Sequence, residues 1–412
     1  MSAQPEGRSL TQFFAGLIKA WDRFWFRPTD PTTLGLIRIL CGLMVLYIHI
    51  AYTPDLQNFF GKDAWIDLKL ADEFRHQFPS AVPFSGWKPD SRAQQTADDT
   101  AYRQKWGLQQ EVPLQTVGAR GQFRWSLWYH VTDPTAMMAI HVTTLVIMFM
   151  FTIGLCTRIT GALTWISVLS YINRAPTVLF GVDAMMNICV LYLVIAPSGA
   201  ALSVDRLLRQ YWARKQAERD KLPEPVFTPP APLVSANFAI RLMQINVCLV
   251  YLISGLSKLK GDTWLAGTAC WGVMANYEFS PMRSPLYMLM LRTLSEHRLL
   301  WEITVTSMTY FTLAFEISFI YLIWIRRLRW TMLVAAVFMH LGIAVCMGLV
   351  TFSMMMLVLV VSMVPPAVVR GLIERLKQGT KASLQLAPAE ANGHRLQTAH
   401  GVSDSMRTSS RV

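Results

Sequence analysis

Gln244, Tyr251 and Lys258 stand seven residues apart in the apolar, membrane-length stretch 236–264. On a helix that spacing drifts by only about 20° per step, so the three share one face. A polar stripe ending in a lysine is costly on a membrane helix unless it faces a cavity or partners, which makes it a functional-site hypothesis by default. Burial disfavours the charged ammonium, and a neutral amine accepts protons, so Lys258 is a candidate base. The alternative is a lysine snorkelling from a helix end to the interface, with Trp264 as its aromatic anchor.

Other ionisable residues lie within apolar runs. Glu316 sits in TYFTLAFEISFIYL. Its short side chain cannot snorkel from mid-span, so it is protonated or paired, with Arg241, Arg38 and His340 as candidate partners. A structural ion pair between helices is the competing reading. His340, in VFMHLGIAVCMG, is either a satisfied packing residue or part of a site. Asp183 and Asn187 are four apart and share a helix face. With Asn173 and Arg174 just before them, they could line the outer mouth of a cavity; a helix cap after Gly181 would explain Asp183 equally. His49 and His141 carry less information. The chain has no Walker loop, GxGxxG, HExxH or GxSxG, and no metal-ligand spacing, so no metal is expected. Its six cysteines include no CxxC pair and read as small apolar packing residues.

The elements that must position these residues are membrane helices. Of 412 residues, 53% are hydrophobic and 16% charged, against about a quarter charged in soluble domains. The apolar residues fall in long runs, which predicts an all-α polytopic membrane protein; ten-residue alternation, the mark of a β-barrel, is absent. Eight spans are predicted, at roughly 33–53, 135–156, 159–177, 181–198, 236–258, 299–325, 329–348 and 349–366. Before them, Leu10, Phe13, Phe14, Leu17, Trp21 and Phe24 recur at helical spacing beside Lys19, Arg23 and Arg27, as in an interfacial helix. Residues 1–32 thus form an amphipathic N-terminus, 33–366 the transmembrane domain with a long outer loop at 54–134, and 367–412 a largely disordered tail.

The net charge of +12 is concentrated beside the spans, which points to topology and anionic lipid; no nucleic-acid motif accompanies it. Arg206, Arg209, Arg214, Lys215 and Arg219 mark one connection; Arg326, Arg327 and Arg329 mark another; Arg370, Arg375 and Lys377 follow the last span. With eight crossings they share one side with Arg158 and the N-terminus, so both termini are expected to be cytoplasmic. No cleavable signal is evident, and the expected address is a bacterial inner membrane. No internal repeat of the kind that builds many transporters is visible.

Several ordered segments resemble the HTTM family, the membrane domain shared with vitamin K-dependent gamma-glutamyl carboxylase. They are FWFRPTDPTTLGLIRILCGL (24–43), FFGKDAWI (59–66), WSLWYHVTDPTAMMAIH (125–141), GLCTR (154–158), NRAPTVLFGVD (173–183) and APSGAALSVDRLL (196–208). RLMQINVCLVYLISGLSKLKGDTWLAGTA (241–269), Glu316 with the following IRRLR, and FMHLGIAVCMGLVTFS (338–353) complete the set. The resemblance implies that Lys258 matches the family's catalytic lysine. In the carboxylase that lysine deprotonates a reduced vitamin K-type quinone. With oxygen this yields a strong base that removes a glutamate γ-proton, and the carbanion captures carbon dioxide. On that enzyme reading Tyr251, Trp264 and His340 would bind the cofactor, with Trp271 also able to line the headgroup pocket; Arg241, Gln244, Glu316, Asp183 and Asn187 would be supporting polar groups. The chain departs from the animal enzyme in having Ser257 before the lysine, in lacking a histidine near Asp183, and in carrying no sizeable domain after the last span. The family also includes proteins similar to the sporulation-delaying-toxin maturation factor. A peptide or protein substrate, a maturation or export role, and a non-catalytic scaffold or transporter all remain open.

Overall fold

A computed structural model describes residues 10–68, 125–175, 179–278, 280–376 and 378. Most of the predicted outer-loop excursion and the tail beyond 378 lie outside the described residues. Among the described residues the chain is helical without strands; one isolated antiparallel bridge joins Thr29 and Leu233.

The chain opens with α1 (Leu10–Phe26), followed by α2 (Thr32–Ala51) and the short α3 (Leu56–Phe60). Then come α4 (Pro134–Ile153), α5 (Thr157–Arg174), α6 (Gly181–Ile195) and α7 (Val204–Arg219). The second half holds α8 (Val234–Lys258), the short α9 (Asp262–Leu265) and α10 (Ala269–Met274), and α11 (Pro285–Glu296). It closes with α12 (Arg298–Leu322), α13 (Arg329–Met347), α14 (Val350–Val360) and α15 (Pro366–Leu376).

Five helices, α2, α4, α8, α12 and α13, are long and apolar enough to cross a membrane. A sixth span is present if the segment Val350–Met363 and α15, bent by 110° at the intervening break, count as one. The pre-proline residues Val364 and Pro365 explain that bend, because proline removes a donor and excludes helical geometry before it. The architecture is that of a helical membrane protein. Large apolar side chains stay exposed along these helices, among them Leu43, Val146, Phe149, Ile253, Val337, Phe338 and Leu341. Such a belt suits lipid rather than water. No residue of α1 is buried, and its Phe13, Phe14 and Trp21 are exposed.

Local chemistry sets the helix ends. Asp133 caps α4 by accepting from the Ala136 amide at 2.7 Å, with Pro134 at the first helical position. Gly154, at φ +75°, ends it in the left-handed region that favours glycine. The next helix is capped from a distance. The Asp205 carboxylate accepts from the Cys156 amide at 2.7 Å and from the Thr157 amide and hydroxyl at 2.9 and 2.7 Å. Burial opposes its charge, but those bonds and Arg209 hold it below the usual carboxylate range.

One apolar core runs through α2, α4, α5, α6, α8, α12, α13 and α14. Near the end of α8, the helix packs along α12 at Gly255, where an added Cβ would lie 2.9 Å from Ile317 Cγ1 and 3.1 Å from Glu316 Cβ. That close approach places Glu316 within reach of α8.

Candidate functional site

The stripe on α8 faces inward along its length, and each member meets a different element. Gln244, near the start, is buried and donates to the Ser362 carbonyl at 2.7 Å. Its Oε1 accepts from Arg241 Nη1 at 2.8 Å. Two turns on, the buried Tyr251 hydroxyl meets His340 Nε2 of α13 at 2.8 Å. Its ring packs against Phe315 and Phe319, with centroids 5.2 and 4.6 Å apart. Another two turns on, Lys258 reaches α12.

Lys258 Nζ donates to both Glu316 carboxylate oxygens, at 2.9 and 2.7 Å, and to Ser254 Oγ at 2.6 Å. Ser254 Oγ in turn donates to Glu316 at 3.1 Å. The side chains are 22% and 7% exposed. Trp264 covers the ammonium at 5.3 Å from its ring centroid, a cation–π contact that shields it further. The cluster carries no net charge as an ion pair, which is how an apolar setting tolerates both groups. Chemically it can take up one proton: Glu316 becomes the neutral acid while the ammonium beside it balances a new anion.

The expected partners of Glu316 were Arg241, Arg38 and His340, and the structure gives it Lys258 instead. Arg241 is occupied at the far end of α8, where Nε donates to the Phe24 carbonyl at 3.1 Å. Arg38 is fully buried and bonds the carbonyls of Thr152, Ser198, Ala201 and Leu202. It satisfies orphan acceptors where α4 and α6 end. His340 is held by Tyr251, and its Nδ1 is buried without a partner.

Asp183 and Asn187 lie elsewhere, on α6. Asp183 accepts from the Phe180 amide at 2.8 Å, which is the capping geometry. It also lines a cavity of ≈ 10 Å³ beside His49, Tyr52 and Tyr171, about the size of one water. Asn187 Oδ1 is buried and unpartnered. Arg174 ties the segment after α3 by donating to the Gly61 and Ile66 carbonyls at 2.6 and 2.9 Å. Trp271 pairs with Trp301 rather than joining Trp264 and Tyr251. Near the ion pair, burial pushes the Cys270 thiol up, against bonds to Thr309 and Thr312 and the charge of Lys258. A thiol so held is a poor nucleophile.

Sequence reasoning missed Ser254 and Gly255. The serine was visible as the residue one turn before Lys258, on its face. A second cluster was undervalued: His141 bonds Tyr171 Oη at 2.6 Å and Thr53 Oγ1 at 3.0 Å, and His49 sits 4.7 Å from the Tyr171 ring. No protein-family model, curated protein or solved structure matches this chain.

Proposed function

We propose that this chain is a carboxylase-like membrane enzyme of HTTM type, crossing a bacterial inner membrane eight times with both termini cytoplasmic. The observation that carries the reading is the Lys258–Glu316–Ser254 cluster, a proton-accepting pair set between two membrane-length helices. Clustering of Arg206, Arg209, Arg326, Arg327 and Arg370 between and after the spans supports the orientation.

The donor set fits a phenolic hydroxyl, because an acceptor carboxylate and a cation stand 2.7 Å apart. A reduced vitamin K-type quinone, used with oxygen and carbon dioxide, would supply the oxidative chemistry when bound. Glu316 takes the proton of the weak acid. Lys258 keeps its ammonium beside the conjugate base, so the pair rather than the lysine alone is the base. Ser254 orients Nζ, and Trp264 keeps water from it. Tyr251 and His340 form the polar layer two turns deeper, where His340 Nδ1 is free to bond a ligand atom or water.

A second reading is a scaffold whose buried charges are structural. The satisfaction of Arg38 and Arg241 by backbone carbonyls and Gln244 favours it. The test is quinol oxidation by the full chain in lipid. Reduced naphthoquinone and oxygen are supplied, and epoxide is sought by mass spectrometry. Epoxide from wild type that is absent with folded Lys258→Ala and with folded Lys258→Met/Glu316→Leu supports the enzyme; none from folded wild type favours the scaffold.

A further inference from the structure

Beside the middle of α8, an open groove of ≈ 380 Å³ is lined by Phe24, Ile245, Cys248, Leu249, Ile320 and Trp324. That volume lies in the range of about 300–1,000 Å³ typical of ligand sites. Its lining is apolar throughout. On α8 the groove runs from Ile245 to Leu249, about 6 Å at 1.5 Å per residue, and Arg241 stands one turn before it.

The mouth of the groove is cationic. Arg241 stacks on the rings of Phe24 and Trp324, with its guanidinium carbon 4.4 and 5.6 Å from their centroids. Its Nε and Nη1 are bonded within the protein, while Nη2 has no hydrogen-bond partner among the described residues. Arg27 and Arg329 lie close enough for their like charges to act on it. No carboxylate among the described residues pairs with any of the three: Arg27, just past α1, is exposed, and Arg329 donates to the Ile323 carbonyl. Three cations gathered without an acid repel one another, and an anion placed among them relieves that.

We infer that this is a binding site for one anionic phospholipid, with an acyl chain in the groove and the phosphate among Arg27, Arg241 and Arg329. The charge complementarity selects the headgroup, and the lipid-open apolar channel beside it selects the chain. Trp324 joins the two, because it lines the groove and its ring meets the Arg241 guanidinium. The groove shares no lining residue with the ion pair and does not depend on its chemistry.

Native mass spectrometry of the full chain in detergent tests the inference. It is run with phosphatidylglycerol, with phosphatidylcholine of the same chains, and with inorganic phosphate. The expected result is one retained phosphatidylglycerol at about tenfold or greater preference over phosphatidylcholine. Arg27→Gln with Arg329→Gln, which leaves the Arg241 bonds to α1 intact, should remove the preference. Ile320→Trp should abolish retention by filling the groove with the arginines in place. Equal retention of the two lipids by wild type overturns the proposal. So does full phosphatidylglycerol retention by folded Ile320→Trp, or binding of inorganic phosphate with the same affinity as the lipid.

Discussion

Removing Lys258 alone should destabilise the fold far more than removing Lys258 and Glu316 together. Across 2.7 Å, at an effective dielectric of about 20, the charges attract by about 6 kcal/mol before desolvation is counted. Desolvation offsets much of this, so the net worth of the pair is small, yet one charge left alone and buried costs about 3–5 kcal/mol. Glu316 is 7% exposed and Lys258 22%, so the Lys258→Met variant strands the more deeply buried partner. The expected loss is about 3 kcal/mol, or more than a hundredfold in the folding equilibrium. Lys258→Met with Glu316→Leu should recover at least half of that. The assay is a double-mutant cycle on unfolding by denaturing detergent in bicelles. Additive losses, with coupling under about 0.5 kcal/mol, would refute the pairing.

Gly255→Val should push α12 away by meeting Ile317 and Glu316, costing about 1–3 kcal/mol, and the coupling measured in the same cycle should fall with it. Tyr251→Phe leaves His340 Nε2 without its partner and should cost about 1–3 kcal/mol; Tyr251→Phe with His340→Leu should melt higher than the single variant. Asp205→Asn weakens the remote cap of α5 and should cost about 1 kcal/mol at neutral pH. Because Asp205 is held below its ordinary value of 3.8, its stabilising effect is complete above that pH and is lost as the pH falls through the lower folded value. Acid unfolding of wild type and Asp205→Asn should therefore converge below that range, and a constant gap would count against the cap.

The helical membrane class was legible because long apolar runs have no other stable form in lipid. The inward face of α8 followed from period alone: Gln244, Tyr251 and Lys258 all find partners within the bundle. Their identities did not follow, because partners lie on other helices. Glu316 stands 58 residues from Lys258, and only the packing of α8 on α12 joins them. Arg38 looked like a charge in search of a carboxylate, yet it bonds carbonyls, a role invisible in sequence because backbone acceptors leave no residue signature. Segment lengths also limited the reading. α6 has 15 residues and α5 has 18 with several polar side chains, so length and hydropathy alone pick out five helices, or six with the bent pair.

If the Lys258–Glu316 pair takes a proton from a phenolic ligand, it must lower the pKa of any phenol bound beside it. The most direct measurement uses a naphthol, which has the acid group without the redox chemistry. Its ionised fraction is read from the naphtholate absorbance as pH is varied, with full-length protein in lipid. Bound to wild type, the naphthol should ionise at least one pH unit lower than with Lys258→Met/Glu316→Leu, a tenfold change in its acid constant. Equal ionisation with both proteins at saturating naphthol would contradict the account and leave the pair a structural tie between α8 and α12.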